Sequence, residues 1–206
     1  MINEEQTDAL KEYMNQFIGQ AASLLSDMVD KKVQLMIPDI SLVYYREEMD
    51  FENILPRFLH SYVVSSSITF GEQFSGEAKL IFPKEKIKDL VQLCLDEEDS
   101  ETDELTDTDF DAITEIGNII LNAVVGSIGN LVEVRLDYTV PEIDVLNLPN
   151  DAKVFVSAEN VYLLIIRNSF TIDGANIEGA IIVMLSMESI NELVEKINEI
   201  LVDYHE

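Results

Sequence analysis

The chain has 206 residues, a formal net charge of −27 and 47% hydrophobic residues, a globular composition and not that of a disordered segment. This much negative charge repels nucleic-acid phosphates and anionic lipid surfaces, so neither is an expected partner. A single cysteine, Cys94, allows no intrachain disulfide; a polar, acidic start and the lack of an apolar run near the roughly 20 residues of a bilayer span predict a cytoplasmic chain without a secretion leader.

Leu10, Met14, Phe17, Ile18, Ala21, Leu24, Leu25 and Met28 recur at three-and-four spacing and predict a helix over residues 5–30. Two short β-type runs, 33–37 and 40–44, flank Pro38. Residues 50–60, interrupted near Pro56, read as a short helix or a loop. Tyr62–Phe70 and Glu77–Phe82 are expected strands joined by a turn that contains Gly71 and Gly76. Residues 84–95 return to helical spacing through Ile87, Leu90, Val91 and Cys94. The acidic stretch Asp96–Asp109 is the expected linker, with Asp107 or Thr108 capping a helix over about 108–131. Strands near 132–140, 152–157, 160–170 and 177–186 and a helix near 187–203 complete the chain.

One sparse pattern occurs twice. Asp8, Glu12, Asn15 and Pro38 form the first copy, and Asp111, Glu115, Asn118 and Pro141 the second. From Asp8 to Asp111 and from Pro38 to Pro141 the interval is the same 103 residues. It also relates Ile40 to Ile143, Gly71 to Gly174, Gly76 to Gly179, and Ile87, Leu90 and Val91 to Ile190, Leu193 and Val194. A period this long is not that of a solenoid. The expected architecture is α/β in the α+β sense: a duplicated α-β-β-β-α unit with a pseudo-twofold axis and a central antiparallel sheet flanked by helices. A single domain, 1–206, would contain repeats of about 1–100 and 104–206, with the acidic linker near 96–109 between them.

Each helical residue advances roughly 100°, so Asp8, Glu12 and Asn15 fall within about 60° of arc, roughly opposite the apolar stripe. Asp111, Glu115 and Asn118 lie likewise across from Ile113, Ile116, Ile120 and Val124. Both sets are expected to face outward. A charged outer face is ordinarily just solvated. Asn at mid-helix is less ordinary, because it prefers caps and turns, and two in identical register favour a functional reading. The prolines read as structural, since Pro cannot donate to a strand ladder.

The doubled D/S-x3-E-x2-N-x22-P pattern resembles the signature of CheC-type chemotaxis phosphatases (the CheC/CheX/FliY family), nearest to its two-site CheC members. Glu115-Ile116-Gly117-Asn118 is the closer copy; Glu12-Tyr13-Met14-Asn15 has Met14 where the other has Gly117. Ala21-Ala22, Leu25-Ser26-Asp27-Met28 and Val33–Pro38 extend the resemblance. It implies a hydrolase acting on the aspartyl phosphate of a CheY-type response regulator, in chemotaxis or another two-component circuit. Asn15 and Asn118 would orient the attacking water, and Glu12 and Glu115 would contact the regulator's active-site lysine. It implies no cofactor of its own, Mg²⁺ coming with the regulator, and a CheD-type receptor deamidase as a further partner. Two sites per chain make a dimer unnecessary, so a monomer is expected. Asn118 is expected to matter more than Asn15, because its copy is nearer the family pattern.

Other readings are weaker or narrower. A binding module could hold a phosphorylated regulator or a deamidase without turnover. A flagellar switch component of the FliY type would carry an added C-terminal domain, for which 206 residues leave no room. Cys94 sits in apolar helical spacing without the basic neighbour a thiolate needs and reads as core. His60 and His205 form no ligand cluster, no Gly-rich phosphate loop precedes a helix, and Asp96–Asp109 lacks the glycine of a calcium loop.

Overall fold

The computed structural model describes residues 2–46, 48–72, 74–95, 104–148, 150–156 and 160–205. Helix α1 spans Glu4–Val29 and leads into strand β1, Val33–Tyr45. Two 3-10 turns, Phe51–Asn53 and Arg57–Leu59, precede β2, Tyr62–Phe70, and β3, Gly76–Pro83. Helices α2, Lys84–Leu95, and α3, Asp107–Leu131, come next. The chain continues with β4, Glu142–Asn147, the short α4, Ala152–Phe155, then β5, Val161–Ile172, β6, Ala175–Leu185, and α5, Met187–His205.

The six strands form one antiparallel sheet in the order β1-β5-β6-β3-β2-β4. The order is symmetric about the β6–β3 seam, with β1 opposite β4, β5 opposite β2 and β6 opposite β3, as the expected pseudo-twofold α+β architecture requires. The seam is tight because both central strands carry glycine. A Cβ on Gly76 would stand 2.4 Å from the Met184 carbonyl oxygen, and one on Gly179 2.6 Å from Phe82 Cε1.

The sheet buries both faces. Residues such as Leu80, Phe82, Ile166 and Ile181 pack on one side with Leu10, Met14, Ile116, Ile120, Leu90 and Leu193 from the four long helices. On the other side Ile81, Ile165 and Ile182 pack with Phe51, Leu59 and Phe155 from the connecting segments. Burial of this apolar surface is the main force for assembly. Helix α3 is long and apolar enough in composition to cross a bilayer, which exceeds the expectation above. Its apolar residues instead pack on α1, β2 and β3.

Several boundaries differ from expectation. Pro38 does not divide β1. The pairs Met36–Ser169 and Asp39–Arg167 leave Ile37 and Pro38 opposite Asn168 alone, a bulge that admits the proline without ending the strand. The run 132–140 is no strand; β4 begins only after Pro141, although Tyr138 bridges Phe70. Residues 152–155 are helical, not extended. Thr106, not Asp107 or Thr108, caps α3. Of the expected linker, 107–109 belong to α3 and 96–103 lie outside the described residues.

Candidate functional site

The two signature helices begin in the same way. Asn3 caps α1 in a capping box with Gln6, and Thr106 caps α3 in one with Asp109. Each third residue then reaches another helix. Gln6 Nε2 donates to Asn198 Oδ1 of α5 over 2.6 Å. Asp109 accepts from Lys88 Nζ of α2 over 2.9 Å and is 1% exposed. Burial pushes the Asp109 carboxyl up, but the hydrogen bonds from Thr106 and the Lys88 ammonium outweigh it and hold it below the usual carboxylate range. These contacts fix the register of both helices before the signature residues are reached.

Asp8 and Glu12 on α1, and Asp111 and Glu115 on α3, are exposed, as the helical wheel predicts. Asp8 pairs with Lys11 across 3.0 Å, an exposed contact of small energetic weight. Asn15 and Asn118 are half-buried, not fully outward-facing as expected.

The two asparagines differ. Asn15 Oδ1 accepts from the Ile37 backbone N–H over 3.0 Å. Its Nδ2 donates to the Ile37 carbonyl over 3.2 Å and to the Lys11 carbonyl over 2.9 Å. Ile37 lies in the β1 bulge, where the ladder to β5 is interrupted, and the side chain replaces the missing partner. The 22-residue spacing before the proline thus has a structural reason: Asn15 holds the residue that precedes Pro38.

In the second copy Val140 and Pro141 also lie between paired residues. Thr139 N donates to Thr69 O over 3.0 Å, and Glu142 stands opposite Ser67. Yet Asn118 is not joined to Val140, which is 78% exposed. Asn118 Oδ1 instead accepts from Asn122 Nδ2, one turn later, over 3.0 Å. The local packing differs too. Gly117 lets α3 settle on β2, where an added Cβ would meet Ser66 Oγ at 2.2 Å. The corresponding Met14 is a buried core side chain. The Asn122 contact and the Ile37 latch were not found from the sequence; Gly19, in the place of Asn122, and the bulge-forming proline were the available signals.

No group of three or more His, Cys, Asp or Glu side chains is placed to hold a metal ion among the described residues. Cys94 is half-buried, and burial pushes its thiol up to about 11, so it is not a reactive thiolate.

No family model matches the chain. The CheY-P phosphatase CheC of Bacillus subtilis (strain 168) is 24% identical over 146 residues, 69% of this chain and 67% of that protein. The flagellar motor switch phosphatase FliY of the same organism is 28% identical over 103 residues, half of this chain and 27% of that protein. Among solved structures, Thermotoga maritima FliY superposes with a TM-score of 0.74 at 17% identity, covering 97% of this chain and 98% of the other. The middle domain of Helicobacter pylori FliM gives 0.66 at 13% identity, covering 95% and 99%. The structural likenesses carry the fold; the two sequence relatives carry the phosphatase comparison.

Proposed function

We propose that this chain, which belongs to the CheC/CheX/FliY family, hydrolyses the aspartyl phosphate of a CheY-type response regulator. The observation that carries the reading is the Glu–Asn pair on each capped helix. Glu115 is exposed, and one turn on, the Asn118 carboxamide keeps its Nδ2 unengaged among the described residues.

The chemistry suits these groups. An acyl phosphate hydrolyses without a protein nucleophile, and what it lacks is an aligned water. Positioning alone can lower a barrier by several kcal/mol, and water-orienting amides recur in phosphoryl transfer. A carboxamide offers donors and acceptors without net charge, so it can approach phosphoryl oxygens that would repel a carboxylate. Glu115 and Glu12 can pair with a cation on the regulator and set docking register. The regulator brings the Mg²⁺. In this reading the chain is a two-site member of the CheC type and acts in the cytoplasm as a monomer. A CheD-type deamidase is a second partner, and its addition should raise turnover.

The test is phosphate release from an excess of phosphorylated regulator. Release of many phosphates per chain supports the enzyme. Likeness to the FliM middle domain favours a competing reading, a binding module of the flagellar switch. Stoichiometric binding without release would select it.

A further inference from the structure

We infer that Asn122 is the positioning residue of the second site: it holds the Asn118 carboxamide by its Oδ1 and leaves its Nδ2 free for a partner. The inference rests on the phosphatase reading of Asn118 and adds a residue that the signature pattern does not contain.

A carboxamide on a helix surface has a broad, nearly two-fold terminal torsion. Left alone, it exchanges its oxygen and nitrogen ends. Asn118 is not left alone. Its Oδ1 accepts from Asn122 Nδ2 over 3.0 Å. Asn118 Nδ2 has no hydrogen-bond partner among the described residues, so its two hydrogens and one Oδ1 lone pair stay open. These groups suit a phosphoryl oxygen and the attacking water.

The first copy has no such residue, and its asparagine behaves differently. Gly19 occupies the place of Asn122, and Asn15 is committed to Ile37 through both of its polar atoms. Both of its N–H groups are used, the second by the Lys11 carbonyl. In the second copy Val140 and Pro141 hold the corresponding place in the sequence, and no side-chain hydrogen bond joins Asn118 to them among the described residues.

Asn122 is also a poor choice on structural grounds. Its Oδ1 is buried and has no hydrogen-bond partner. An orphaned buried acceptor disfavours the folded state. A leucine of similar size would remove the orphan. A residue whose one side-chain hydrogen bond runs to Asn118, at the expense of stability, is explained by what it does to Asn118.

The test compares Asn122→Leu, Asn122→Gln and Asn118→Ala in the full chain. For Asn122→Leu the melting temperature should equal or exceed that of the wild type, KM for the phosphorylated regulator should stay unchanged, and kcat should fall about ten- to a hundredfold. Asn122→Gln, which keeps the donor, should recover part of the loss. A side-chain amide NMR signal, assigned to Asn118 by its disappearance in Asn118→Ala, should shift in Asn122→Leu while that of Asn15 stays in place. Unchanged kcat in Asn122→Leu, with Asn118→Ala inactive, would overturn the inference and leave the phosphatase reading intact. An unmoved Asn118 signal would overturn the pairing itself. Equal activity in wild type and Asn118→Ala would overturn the catalytic use of the Asn118–Asn122 pair, whereas a wild type that releases no phosphate above the regulator's spontaneous rate would overturn the phosphatase reading.

Discussion

The Asn15 side chain meets the Ile37 backbone from both ends, its Oδ1 accepting over 3.0 Å and its Nδ2 donating over 3.2 Å. An asparagine so occupied stabilises the β1 bulge and would have to release these bonds to meet a partner. Replacing Asn15 with Ala strips a half-buried N–H and C=O of their partners and should reduce stability by about 1–3 kcal/mol. Urea denaturation measures this. Turnover per folded molecule should drop much less than in the Asn118 variant. An Asn15→Ala protein of full stability and no activity would invert the assigned roles.

Asn118→Asp changes shape very little and adds a negative charge. In the proposed complex that charge would face phosphoryl oxygens, beside the Asp111 and Glu115 already on the same helix face. Phosphatase activity should fall at least tenfold, because a like charge opposes the approach. A fully active aspartate variant, measured at neutral pH, would show that charge at this position is unimportant.

Gly117→Ala should drive α3 off β2. The new Cβ would lie 2.2 Å from Ser66 Oγ and 2.8 Å from Ser66 Cβ. Overpacking of this kind typically costs about 1–3 kcal/mol, and movement of the Asn118 turn should lower kcat as well. Ser66→Gly in the same chain should restore part of both. A double variant no better than the single one would place the strain elsewhere.

Asp109 makes stability depend on acid. Its folded-state carboxyl is held below the usual range by Thr106 and Lys88 acting against burial. A depressed value contributes stability that is fully present above the unfolded carboxylate range, near pH 4, and is lost as pH falls through the folded value. Many other carboxylates titrate there, so the informative quantity is a difference. The urea midpoint of the wild type should fall more steeply below about pH 4 than that of Asp109→Asn. Parallel curves would show that the Asp109–Lys88 contact contributes nothing to acid sensitivity.

Much of this was readable from the sequence, for identifiable reasons. The helices α1, α2, α3 and α5 announce themselves through apolar residues at helical spacing, and the seam glycines Gly76 and Gly179 recur at the repeat interval. Exposure of Glu12 and Glu115 came from the helical wheel. The errors fall where local pattern and tertiary context part. Pro38 looked like a strand break because a ladder cannot use it, yet a bulge with an outside partner keeps β1 whole. Residues 132–140 alternate like a strand, but Val132 and Leu136 pack in the helix-side core and pairing with β2 resumes regularly only at Glu142. The different states of Asn15 and Asn118 depend on Ile37 and Asn122. The first of these is 22 residues away, and the second lies outside the repeated pattern, so periodicity alone could not separate the two copies.

The most direct test measures phosphate release from a phosphorylated CheY-type regulator with wild type, Asn118→Ala and Asn15→Ala at equal folded concentration. Wild type should release phosphate well above the regulator's spontaneous rate, Asn118→Ala should fall close to that rate, and Asn15→Ala should retain most of the gain. Undiminished release by Asn118→Ala would contradict the account.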